Sequence, residues 1–155
     1  MPSYSQTSES RLEMAHPDIQ LVFREVLKRY DHTIAKSYET KAESESYFDQ
    51  GLSKIHYPTK HNSKPSIAVD VYPYIKGKAI FGANEEELKQ VLHFAGYVMA
   101  TADIMLEEGK ITHKFRNGGD WNMDNDISKN DNPFEDGGHF ELVVNPGEII
   151  QYFEV

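Results

Sequence analysis

The sequence predicts an α+β fold, a small and mainly antiparallel sheet with helices packed around it. Three observations carry this. Two stretches place apolar residues at helical spacing, at least three others alternate with the period of a strand, and the two kinds are mixed without regular βαβ order. At 155 residues the chain is long enough for one domain with a real core, and 39% apolar and 12% aromatic content excludes general disorder.

Pro17 opens the first clear helix, since proline is tolerated in a first turn, and Ile19, Val22, Phe23, Val26 and Tyr30 form its apolar stripe. HTIAKSY, residues 32–38, reads as a short strand, and 41–49 as a helix closed by Gly51. Residues 52–65, with Pro58 and Pro65, read as an irregular loop leading into the strand SIAVDVYPY. There Ile67, Val69 and Val71 alternate with Ala68, Asp70 and Tyr72, so a carboxylate lies opposite the valines. Asn84 caps the longest helix, with Glu85, Glu86 and Glu87 at its positive end and a stripe running to about residue 107.

ITHKF, from Ile111, is strand-like at the head of a segment rich in Asn, Asp and Gly, and HFELVV, from His139, is the last strand. IIQYFEV, residues 149–155, returns as an edge strand or lies on the surface. The expected organisation is a loose polar lead-in at 1–12, a domain at 13–145 and a tail at 146–155.

Composition narrows function. Sixteen basic against twenty-five acidic residues give a net charge of −9, which argues against a nucleic-acid partner. The absence of cysteine excludes disulfides, thiolate metal sites and cysteine nucleophiles. No signal peptide or membrane-spanning run is present, so synthesis in the cytoplasm as a soluble monomer is expected.

Seven histidines are present, and most stand without partners nearby in sequence. His61 precedes the Asp70 strand, and His139 follows Asp136 and two glycines. Two His and one Asp would make a three-ligand zinc site with an open position for water, the arrangement of catalytic zinc. Spacing alone carries this weakly, because there is no HExxH motif and no adjacent ligand pair.

The run TKHNSKPSIAVDVYPY, residues 59–74, resembles the first zinc motif of the VanY-type D-alanyl-D-alanine carboxypeptidases and L-alanyl-D-glutamate endopeptidases (LAS zinc peptidases), most closely their phage endolysin branch. GGDWN at 118–122 and FEDGGHFELV at 134–143 resemble its second half. HPDIQLVFREVL at 16–27 and DQGLSK at 49–54 are similar to its opening. The resemblance implies a LAS-type fold, zinc held by His61, Asp70 and His139, and Asp136 as catalytic base. It implies peptidoglycan stem peptides as substrate, cleaved at the L-alanyl–D-glutamate bond after release to the wall. A D-alanyl-D-alanine carboxypeptidase is a near variant. It also implies that Asp120 and Trp121 shape or support the cleft, although Trp121 fits a core position equally well.

Two departures stand out. His61 and Asp70 are nine positions apart, longer than in many relatives, and Ser63 stands where the shorter spacing would place the ligand. Relatives also carry an arginine in a run that here reads Ser37-Tyr38-Glu39-Thr40, with Ser44 in the place of a following glutamine. Glu39 thus reverses a charge expected to meet substrate, a loss worth about a thousandfold in rate unless Lys36, Lys41 or Arg116 compensates. The alternative reading is a weakened relative that keeps zinc and binds wall peptides or a partner without turnover.

Overall fold

A computed structural model describes residues 1–128 and 136–152. Helices α1 (Gln6–Glu13) and α2 (Pro17–Leu27) lead into β1 (His32–Lys36) and α3 (Lys41–Asp49). A 3-10 turn (Lys60–Asn62) precedes β2 (Ala68–Ile75), β3 (Lys78–Ala79) and the long α4 (Glu85–Glu107). β4 (Phe115–Gly118) and β5 (Asp136–Leu142) complete the fold, which is α+β. The sheet order is β1-β2-β5-β4 with all neighbours antiparallel, and β3 folds back on β2. No helix among the described residues is long and apolar enough to cross a membrane.

Strand alternation divides the sheet into two faces. Val69 and Val71 of β2, Phe140 and Leu142 of β5, and Phe115 of β4 are buried in the core. Against them α2 contributes Ile19, Val22, Phe23 and Val26, and α4 contributes Phe94, Ala95, Val98 and Ala102. Phe23 meets Phe140 edge-on at 5.4 Å between ring centroids, which ties α2 to the sheet centre. Asp70, His139, Glu141 and Arg116 occupy the alternate positions and thus the opposite face.

The N-terminal segment is not a loose lead-in. Ser5 caps α1 by accepting from the Ser8 amide, Leu12 is fully buried, and Arg11 donates to the Ile34 carbonyl at 3.0 Å. The Ser8 hydroxyl also accepts from the Ile34 amide at 3.1 Å, so a buried leucine and hydrogen bonds to β1 anchor this polar stretch.

The expected strand at ITHKF begins only at Phe115, because the amides of Thr112 and His113 donate to the Asp18 carboxylate instead of a ladder. β5 starts at Asp136, three residues before the expected His139, and ends at Leu142. In the C-terminal segment Ile150 packs against the core and Tyr152 makes an isolated bridge to Ser63. Phe134 and Glu135 of the FEDGG run, and residues 153–155, lie outside the described residues.

Candidate metal centre and its surroundings

The site lies on the sheet face opposite the core. His139 of β5 pairs directly with Asp70 of β2, so their side chains project together. Asp70 Oδ1 lies 3.0 Å from His139 Nδ1 and 3.4 Å from His61 Nε2. Each imidazole is oriented through its other nitrogen: His61 Nδ1 donates to the Ser37 carbonyl at 2.7 Å, and His139 Nε2 bonds Glu141 Oε1 at 2.9 Å. The nitrogens left over converge on Asp70, and ligand atoms of all three residues lie within 4.8 Å of one another. Anchored imidazoles beside a carboxylate are the donor set and the supporting shell of a divalent zinc site, so these residues fit that ion.

The loop carrying His61 is held by its neighbours in space. The Glu39 amide donates to the His61 carbonyl, and Asn62 Nδ2 donates to the Glu39 carbonyl at 2.8 Å and to Ser44 Oγ at 2.7 Å. Ser44 Oγ in turn donates to Glu39 Oε2 at 2.7 Å. Glu39 and Ser44, the candidate substrate contacts, are both buried and form a brace beneath the His61 loop. The Ser63 hydroxyl donates to the Lys60 and Pro65 carbonyls and accepts from the Ile67 amide, and so serves the turn.

Asp136 sits opposite Gly118, where β4 and β5 lose regular register. The approach is close: a Cβ on Gly118 would lie 2.1 Å from the Asp136 carbonyl oxygen, which only glycine permits. Burial raises the Asp136 pKa above the ordinary aspartate value, and the Asp70 charge adds to it against opposition from His139 and His61. A carboxyl with raised affinity for protons beside the ligand group is suited to proton transfer.

Burial opposes charge on His139, but hydrogen bonds to Asp70 and Glu141 outweigh it and raise the imidazole to about 10. Glu141 is lowered to about 2; burial works against this, but bonds from His139, Lys60 and Arg116 prevail. The Trp121 ring lies 5.5 Å from His139, with the Arg116 guanidinium 5.6 Å from the indole centroid. The Trp121 indole thus lies beside His139 and Arg116. The Asp120 carboxylate accepts from the amides of Asp124 and Asn125 and shapes the following turn.

Sequence reasoning missed Glu141 and Tyr72. Both were legible in principle, since each stands two residues from a candidate ligand on a strand and shares its face. Tyr72 lies so close to Gly138 that a Cβ there would fall 2.3 Å from its ring. Burial, with the Asp136 and Asp70 charges, raises its pKa, so the phenol keeps its proton.

A second group, His16, Asp18 and His113, also brings ligand atoms within 4.8 Å. Here the carboxylate is already occupied: Asp18 Oδ2 accepts from Thr112 N, Thr112 Oγ1, His113 N and His113 Nδ1 at 2.7–3.0 Å. His113 Nε2 meets Glu148 at 2.9 Å, so the imidazole clasps the C-terminal segment to the start of α2. Burial opposes its charge, but bonds to Asp18 and Glu148 outweigh that and raise its pKa. The clasp contributes fully below about pH 6.5, the unfolded value, and weakens as pH rises through the raised folded one. His113→Ala is expected to destabilise the fold by about 3 kcal/mol at pH 6 and by less at pH 9. Urea unfolding at both pH values checks this; equal losses would exclude the charged clasp.

With this geometry in place, comparison with known proteins identifies the class. The profile of the phage L-alanyl-D-glutamate peptidase family matches residues 2–143, and the chain belongs to that family. It is 30% identical over 145 residues to the L-alanyl-D-glutamate peptidase of Escherichia phage T5, covering 90% of this chain and 97% of that protein. Its fold is similar to the crystal structure of the Serratia marcescens L-Ala D-Glu endopeptidase ChiX, with a TM-score of 0.63 at 20% identity. That match covers 90% of this chain and 89% of the other.

Proposed function

We propose that this chain is a zinc-dependent peptidoglycan peptidase that cleaves the L-alanyl–D-glutamate bond of stem peptides, acting as a phage endolysin on the cell wall. The observation that carries the reading is the convergence of His61, Asp70 and His139 on one sheet face, each imidazole oriented through its far nitrogen, with Asp136 alongside. Family membership supports the same bond as substrate.

Zinc bound by those three side chains supplies Lewis acidity toward a water molecule and the scissile carbonyl. Asp136 takes the proton of the attacking water and returns it to the leaving amine. Tyr72, kept protonated, donates a hydrogen bond where negative charge develops on the substrate. Trp121 and Arg116 wall the cleft beside His139 and limit water access. Glu141 holds the His139 ring so that Nδ1 stays turned toward Asp70.

The test is digestion of purified peptidoglycan. The expected products are peptides with new glutamate amino termini, produced only when zinc is present and abolished by a chelator. Release of free D-alanine instead would identify a carboxypeptidase, and no cleavage of either kind would overturn the reading.

A further inference from the structure

The row of opposed residues that carries His139 and Asp70 continues onto β1, where its third member is Lys36. Regular alternation would put Lys36 on the same face as Ile34, which is fully buried against the core. Pairing shifts between those two residues, so that Ile34 opposes Val71 while Lys36 opposes Asp70. An irregularity of this kind re-aims a side chain. It turns Lys36 over onto the face of the ligand cluster.

The ammonium is held there. Lys36 Nζ lies 3.2 Å from Glu39 Oε1 and 4.5 Å from the centroid of the Tyr47 ring, and its side chain remains 34% exposed. Glu39 is 6% exposed, and its other carboxylate oxygen is taken by Ser44. Glu39 therefore acts as an anchor for a cation. An ammonium has three donors, and Glu39 accepts from one of them. Lys60 and Arg116 are both bound to Glu141. Burial disfavours charge on Lys36, but Glu39 and Asp70 outweigh it and keep the side chain a cation.

An L-alanyl–D-glutamate substrate carries a matching anion. The α-carboxylate of the D-glutamate is attached to the same carbon as the scissile nitrogen, so it enters the site with the reacting amide. We propose that Lys36 binds this α-carboxylate and makes the enzyme select stem peptides whose D-glutamate is a free acid over those in which it is the α-amide. The inference rests on the peptidase reading above and names the group that would position its substrate.

The test uses the full chain loaded with zinc, with two synthetic stem tetrapeptides that differ only in a free D-glutamate α-carboxylate or its amide. The unmodified protein is expected to favour the acid by about 10- to 100-fold in kcat/KM, the range of one charge-assisted hydrogen bond. Lys36→Met should lose most of that preference, by a fall on the acid peptide with little change on the amide. Lys36→Arg should retain it. Calorimetric binding of both peptides in an Asp136→Asn background should show the same preference, lost on adding Lys36→Met, which separates binding from turnover.

Equal losses on both peptides in Lys36→Met would reduce Lys36 to a structural role and overturn the proposal, as would an undiminished preference. If the unmodified protein cuts neither peptide, the L-alanyl–D-glutamate reading fails, and this proposal falls with it. Zinc content and melting temperature confirm that each variant is folded.

Discussion

Asp136→Asn is expected to retain one zinc per chain and to lose about a thousandfold in turnover of peptidoglycan, within the range of general acid–base catalysis. The substitution keeps the side-chain size and the close passage of the backbone past Gly118, which glycine alone allows. What it removes is a proton acceptor whose affinity is raised by burial and by the Asp70 charge. The sign follows from the shift: the unmodified enzyme loses activity as pH falls through the raised Asp136 value, and the residual rate of the variant lacks that limb. Metal content by mass spectrometry and initial rates between pH 5 and 9 check both halves. An unchanged rate would remove Asp136 from its role as base.

His61→Ala and His139→Ala should each fail to hold zinc through dialysis, with activity falling to background. Each leaves two protein ligands where a catalytic zinc site uses three. His139→Ala also removes the partner of Glu141, which is otherwise held by Lys60 and Arg116. The control lies within the same chain. His16→Ala alters the second His and carboxylate group, whose Asp18 is already occupied by four donors, and should keep one zinc. Stoichiometric zinc retained in either His61→Ala or His139→Ala would refute the ligand set.

Glu39 shows how a departure from a family pattern changes meaning in three dimensions. Read along the chain, it reverses a charge that relatives direct at substrate. Folded, it is buried, bonded to Ser44, and paired with Lys36. The cation of the cleft is thus carried three residues earlier. Arginine at position 39 would place a second cation against Lys36 in a buried brace, so restoring the family residue would not restore its role.

Much of the architecture was legible from local pattern. Helical spacing marked α2 and α4, Pro17 and Asn84 marked their starts, and alternation in SIAVDVYPY put Asp70 opposite the valines. Those signals report which face of an element is apolar, and burial of that face is the dominant drive to fold. α1 escaped because eight polar-rich residues carry only one fully buried apolar side chain, Leu12, and its docking depends on hydrogen bonds to β1. Trp121 could not be assigned to core or cleft because no periodicity runs through the loop that bears it.

The sequence by itself determined the α+β class and the apolar faces of the main elements, since each is written in residue type and local spacing; the candidate ligand set was implied by resemblance to the family and not by spacing. Only the tertiary structure decided which side chains stand together on the working face. Alternation places Lys36 with Ile34, and the loss of register between them turns it to Asp70. A second loss of register, between Asn117 and Gly118, sets Asp136 opposite Gly118 beside the same cluster. Such irregularities arise from how one strand pairs with another, and the residues that set them lie far apart along the chain.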